Sequence, residues 1–453
     1  MSTAHETVTA RFLEFLHWRA TAFQSEDVRE AASLHLLDSI AAIVSGRRLA
    51  AGMAAAQWIS GRGQAGMSSC AGLSARHDVE HAALFNAMCA HADESDDSHE
   101  PSRSHPGASV IPVVLAMAEN HQSPPDAVLE AIVVGYEACA LMNWLIWGAR
   151  TIRGHPGSST HAYGGLWGSA MAAGWLSRFD DREMRSLIGY TAHLAGGART
   201  WLRDKRHVEK AFAFAGMPAW NAVRAAGLVA AGWPGVNDAL DGSPSFFSTL
   251  GREADTGAFS YAAARRPAVL ETSIKKYCVG SPAQAAVQAA EELATDGVIP
   301  SEIIAVRCFL PAELAVVVDN RAMSDINVQY LLAATLADGV FSFALAHDPQ
   351  HLRRPDIAAL MKLTKLAADP AMQPIRQARV EVDLSDGRTM SKSASAVRGS
   401  RENPMTRQEV EAKARDLMGE VLDAAQCLDL IRSCQHMDAN SVQRIARGLR
   451  NSR

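Results

Sequence analysis

From residue 8 to about 250, apolar positions recur at three- and four-residue spacing in one segment after another. In SEDVREAASLHLLDSIAAIVSG, Ser25 stands where an N-cap belongs, acids fill the first turn, and Gly46 closes the run. The same pattern predicts helices near 79–91, 108–121, 125–148, 161–177 and 216–231, with no strand-like alternation among them. The texture changes near residue 266. EIIAVRCFLP predicts a strand, and ARVEVDLSDGRTMSKSAS predicts a hairpin turning at Asp386 and Gly387. Between them, INVQYLLAATLADGVFSFALA and PDIAALMKLTKLA predict helices; beyond Pro404 the chain is helical again. The pattern therefore predicts a mostly α protein. Its large all-helical domain spans residues 1–265 and 401–453, with an inserted smaller α+β domain at 266–400.

Composition narrows this picture. A chain of 453 residues has room for two or three domains. Aromatics are only 6% against a hydrophobic fraction of 48%, so the cores must be built from Ala, Leu, Val and Ile. Net charge is −5 with no basic tract, which argues against nucleic acid or an anionic membrane as the main partner. The longest apolar stretch, AVLEAIVVGYEACALMNWLIWGA, carries Glu130 and Glu137 and is expected to be a buried helix, not a bilayer span. The N-terminal segment is polar and lacks a signal-peptide pattern. The seven cysteines are odd in number and widely spaced, and none forms C-x-x-C. They argue against a disulfide scaffold or a zinc site and fit a reducing cytoplasm.

Chemistry concentrates in a few segments. HADESDDSHEPSRSHPG, residues 91–107, crowds carboxylates, histidines and hydroxyls between two helices. Such groups cannot be buried unless paired, and crowding shifts their proton affinities. A metal site, an acid–base site and a solvated loop all remain open, although there is no H-E-x-x-H or helical histidine pair. IRGHPGSSTHAYGGLWG sets His155 and His161 among glycines before an Ala-rich helix, either an anion site or a tight turn. Lys205, Arg206 and Lys210 precede another small-residue helix. Lys275 and Lys276 stand at the entry to the α+β region, and Tyr330 begins an apolar helix. A carboxylate-binding lysine and an ordinary surface lysine, or a catalytic and a core tyrosine, are the competing readings. The chain has no G-x-x-x-x-G-K-[ST], no G-x-G-x-x-G after a strand and no G-x-S-x-G, which argues against nucleotide enzymes, dinucleotide dehydrogenases and α/β-hydrolases.

Taken in order, these segments resemble the MmgE/PrpD family over nearly the whole chain. LLDSIAAIVSG resembles its opening helix, and HADESDDSHEPSRSHPGASVIPVVLAMAE its H-x-x-D-x-D-D-T…H-P block. AIVVGYEACA, KAFAFAGMPAWNAVRAAGLVAAGW, IKKYCVG and GSRENPMTRQEVEAKARDL follow in the family's order. The resemblance implies an enzyme acting on a small di- or tricarboxylate: a dehydratase, decarboxylase or epimerase. It implies a homodimer, a helical domain with an α+β lid domain, and no cofactor or metal. Residue by residue, the family's first site aspartate falls on Glu94, with Asp93 beside it, and its threonine on Ser98. Its histidine before proline falls on His105, its lysines on Lys210 and Lys275, and its tyrosine on Tyr330. His155 and His161 compete for one histidine position, and placing Lys210 requires one inserted residue.

The reaction so implied is proton transfer at a carbon next to a carboxylate, which needs a positioned base and cations to hold enolate-like charge. On this reading Lys210, Lys275 and His105 bind carboxylate and stabilise charge. His161 or His155 and Glu94 are the acid–base candidates, Asp93 and Ser98 contact substrate, and Tyr330 supplies or orients a second proton. A non-catalytic binding or scaffold homologue is the alternative from a different class, and a metal-dependent lyase is a third.

Overall fold

Gly46 ends the helix Glu26–Gly46 for a reason that periodicity does not reveal. A Cβ there would lie 2.0 Å from the Cys89 carbonyl oxygen, so only glycine lets this helix end meet the helix Val79–Ala90. Ser25 does occupy the N-cap position, but its hydroxyl bonds the Asp27 side chain and caps no backbone N–H. The computed structural model describes residues 7–62, 66–149, 157–372 and 376–452. The chain is mostly helical, with a small mixed sheet, and divides into two units.

The first unit comprises Met1–Ala92, Asp96–Ser273 and Leu417–Arg453. Three of its helices, Pro106–His121, Pro125–Trp147 and Thr160–Leu176, are buried along almost their whole length. Small residues permit this. A Cβ on Gly168 would stand 2.5 Å from the Gly135 carbonyl, so the latter two helices touch backbone to backbone. The apolar stretch carrying Glu137 is such a buried helix. Glu137 accepts the Ala268 N–H at 2.5 Å and lies 3.4 Å from Arg19 Nε. One strand pair, Ser68–Ser69 with Arg76–His77, lies within the stretch read as all helix; two residues per strand are too few to show alternation. Late in the chain, Asp423 and Gln426 form a capping box for the helix Ala424–Gln435, which the Ser33 hydroxyl ties to the helix Glu26–Gly46 through the Cys434 carbonyl at 2.8 Å.

The second unit comprises Asp93–Ser95 and Ile274–Asp416. Its sheet runs Thr364–Asp369, Ile303–Pro311, Ala378–Leu384, Thr389–Ala394. The first pair is parallel and the others antiparallel. In Ala378–Leu384 alternate residues are buried, as a half-covered strand requires. The hairpin turns where Asp386 and Gly387 predict it, with Gly387 at φ 86°. One expectation fails: PDIAALMKLTKLA is helical only over Pro355–Leu363, and Thr364–Asp369 is a strand. The Thr364 hydroxyl bonds the Leu360 carbonyl at 2.8 Å at the helix end, and parallel pairing with Ile303–Pro311 takes over the backbone groups.

Candidate functional site

Asp78 caps the helix Val79–Ala90 by accepting the His81 N–H at 3.0 Å, and His91 follows the helix's last residue. Within the helical unit the loop from Asp96 to His105 is held by buried bonds. Asp97 accepts the Gly107 N–H at 2.9 Å at the start of the helix Pro106–His121 and the Tyr136 hydroxyl at 2.5 Å. Its Oδ2 also lies 2.9 Å from His35 Nδ1. Burial, then the Asp97 charge, holds the Tyr136 phenol well above its ordinary range. A Cβ on Gly107 would come within 2.8 Å of Asp97, Ser39 and Tyr136, so glycine is required here. Asn143 fixes the far end of the loop, donating to the carbonyls of Ser102 and Thr160, both at 3.0 Å.

Asp96 Oδ2 stands 2.9 Å from His91 Nδ1 and 3.1 Å from His105 Nδ1. His105 Nδ1 also lies 2.7 Å from the Asp97 carbonyl. A carbonyl only accepts, so Nδ1 carries the hydrogen and Nε2 is the basic nitrogen of neutral His105. His91 is fully buried; burial drives its pKa down to about 3 against the opposing pull of Asp96, which keeps the ring neutral.

Phe214 organises the rings. It lies in a π-helical turn, Phe212–Gly216, between the helices Val208–Ala211 and Met217–Ala230. His161 stacks on it at 3.9 Å between centroids and His91 at 4.7 Å, and His105 is 5.0 Å from His161. Lys210 is buried with its ammonium 5.3 Å from the Phe214 ring. His105, His161 and Lys210 are thus brought together. His155 lies outside the described residues. Ser98 is buried and its backbone forms an antiparallel bridge with Ser273, 2.9 Å in each direction.

The remaining candidates belong to the α+β unit. Lys275 is buried and donates to the Glu94 carbonyl at 3.1 Å and to its carboxylate at 3.3 Å. Asp93 accepts from the Ser95 N–H at 2.8 Å and hydroxyl at 2.9 Å, and lies 2.8 Å from His347 Nε2. Burial works to raise the Asp93 pKa, but the bonds from His347 and Ser95 together hold it below the ordinary carboxylate value. Lys413 donates to the Ser95 carbonyl at 2.7 Å. Tyr330 is buried and bonds His351.

Periodicity and spacing did not single out His91, Asp96 or Phe214 as site residues, nor His347 and His351. Phe214 reads as an ordinary apolar helix position, and the two late histidines sit in a short polar connection, HDPQHLRRPD, whose only signal is its density of charge. His91, Asp96 and His105 also bring possible metal-ligand atoms within 4.8 Å of one another. Both Nδ1 atoms, however, face one Asp96 oxygen, and His105 Nδ1 is further engaged by a carbonyl. Those atoms serve a hydrogen-bond network that a cation would have to break.

Comparison with known proteins identifies the family to which this mostly helical chain belongs. Residues 11–259 match the MmgE/PrpD N-terminal domain and residues 277–437 the MmgE/PrpD C-terminal domain; the chain belongs to the MmgE/PrpD family. That family includes dehydratases and decarboxylases, which supports an enzyme of lyase type. Human cis-aconitate decarboxylase is 24% identical over 390 residues, covering 79% of this chain and 76% of the relative.

Proposed function

We propose that this chain catalyses cofactor-independent proton transfer at a carbon next to a carboxylate of a small di- or tricarboxylate. The observation that carries the reading is His105. Its Nδ1–H is fixed by the Asp97 carbonyl and Asp96, which leaves Nε2 as a pre-oriented base beside His161, with the Lys210 ammonium set against the same Phe214 ring that both histidines contact. In this reading His105 and His161 exchange the proton, Lys210 holds negative charge as it develops, and Asp96 and His91 position His105. Family resemblance assigns Glu94, Lys275 and Tyr330 to the same reaction. Loss of hydroxide, loss of CO2 or return of the proton would make the enzyme a dehydratase, decarboxylase or epimerase. The name of the human relative puts cis-aconitate first among substrates to try.

The test is a panel of di- and tricarboxylates in deuterated water followed by proton NMR. Exchange, elimination or decarboxylation is expected, reduced by about 100-fold or more in His105→Asn. Saturable binding with no exchange on any compound would instead support the non-catalytic homologue and sink this proposal.

A further inference from the structure

Tyr330 ends a chain of hydrogen bonds, buried at its tyrosine end, that no family motif quoted above includes. Its hydroxyl lies 2.8 Å from His351 Nδ1. His351 Nε2 lies 2.5 Å from Asp338 Oδ2, and Arg354 donates to Asp338 Oδ1 at 2.6 Å. Tyr330 and His351 are both buried. The polarity of this chain follows from its two ends. A carboxylate paired with arginine only accepts, so His351 carries its hydrogen on Nε2. In the neutral ring Nδ1 is then the lone-pair nitrogen, to which the Tyr330 O–H donates. This is the Asp–His–hydroxyl order that activates a weak nucleophile or base elsewhere, recognised by geometry and role and not by sequence position.

We propose that Asp338 and His351 are positioning residues that make Tyr330 a proton shuttle for the reaction; this rests on the function proposed above. The balance is simple. Tyr330 is then the second proton-transfer group, in addition to the His105–His161 pair: when its oxygen takes a proton from substrate carbon, as in the return step of an epimerisation, its own hydrogen passes to His351 Nδ1. The substrate keeps the electron pair as an enolate, and the imidazolium is held by the Asp338 carboxylate. The reverse transfer restores every group, and no free tyrosinate forms. Burial, then the charges of Asp338, Cys278 and Asp348, raise the Tyr330 pKa, with Arg354 opposing. The phenol therefore stays protonated unless its proton has a local destination, and His351 supplies one.

The full-length chain is tested in two ways. In nitrogen-15 NMR of histidine-labelled protein, His351 should show the Nε2–H tautomer; an Nδ1–H tautomer overturns the proposal whether or not turnover is observed. In kinetics, His351→Asn keeps an acceptor near the Nδ1 position that cannot take a proton. It should lower kcat about 100-fold with KM within about twofold, and add nothing further in the Tyr330→Phe background. Asp338→Asn should lower kcat less than His351→Asn. Wild-type kcat in His351→Asn, or fully additive losses in the double variant, overturns the relay. Wild-type turnover in Tyr330→Phe overturns the shuttle role itself. If the unaltered protein turns over no polycarboxylate, the function proposed above fails, and the tautomer alone decides the relay.

Discussion

The buried pair Lys275–Glu94 changes what a lysine substitution means. If Lys275 only bound substrate carboxylate, as the family resemblance implies, Lys275→Ala would test catalysis alone. In the structure both side chains are removed from solvent, so deleting one takes a buried charge partner from the other. Lys275→Met should cost about 3 kcal/mol in denaturant unfolding, and Glu94→Gln combined with it should recover most of that. Equal stability of the single and double variants would refute the pairing. Glu137 gives a second residue-scale prediction. Burial, opposed by Arg19, raises its pKa from 4.5 to about 7. The native state thus binds a proton that an unfolded chain at the same pH has lost. This contribution is fully present below about pH 4.5 and disappears as pH rises through about 7. Glu137→Gln should match the parent at pH 5 and melt about 3 °C higher at pH 8.5; a gap of the same size at both pH values would contradict the sign. At this scale the sequence offered His105, His161 and Lys210 as candidates through their local settings and the family resemblance, and the structure places all three around Phe214. The sequence could not reveal Phe214, which is chemically unremarkable, or His351, whose partners Tyr330 and Asp338 lie 21 and 13 residues away.

Among the elements, periodicity located the long helices well because each is long enough to repeat its pattern several times. It missed the strand Thr364–Asp369, whose six residues continue a helix-like stretch and whose conformation depends on a partner far along the chain. It also could not say why small residues recur. Gly135 and Gly168 are set by contact between helices, which spacing within one helix does not record. Gly168→Ala should therefore destabilise the protein by about 2 kcal/mol despite alanine's higher helix propensity. A rise in melting temperature would show that the two backbones are not in contact.

Over the whole molecule, all seven cysteines are buried free thiols. Native protein should resist a thiol reagent, label seven-fold on unfolding, and melt at the same temperature with or without reductant; reductant-sensitive melting would contradict this. The two units are not contiguous in sequence, and that has a consequence for synthesis. Asp93, Glu94 and Ser95 find their partners His347, Lys275 and Lys413 at separations of 254, 181 and 318 residues. On a ribosome adding about 5–20 residues per second, the last of these contacts waits roughly 15 to 60 s after the acidic segment is made. Glu94 can meet Lys275 only after 181 further residues and Asp93 can meet His347 only after 254, while the Ser95 carbonyl waits longest, for Lys413. The acidic loop is therefore among the last parts of a nascent chain to settle, although it lies in the first quarter of the polypeptide. Stalled chains ending near residue 270, before Lys275 and His347 are made, should be cut in that loop by protease, and the released full-length chain should be protected.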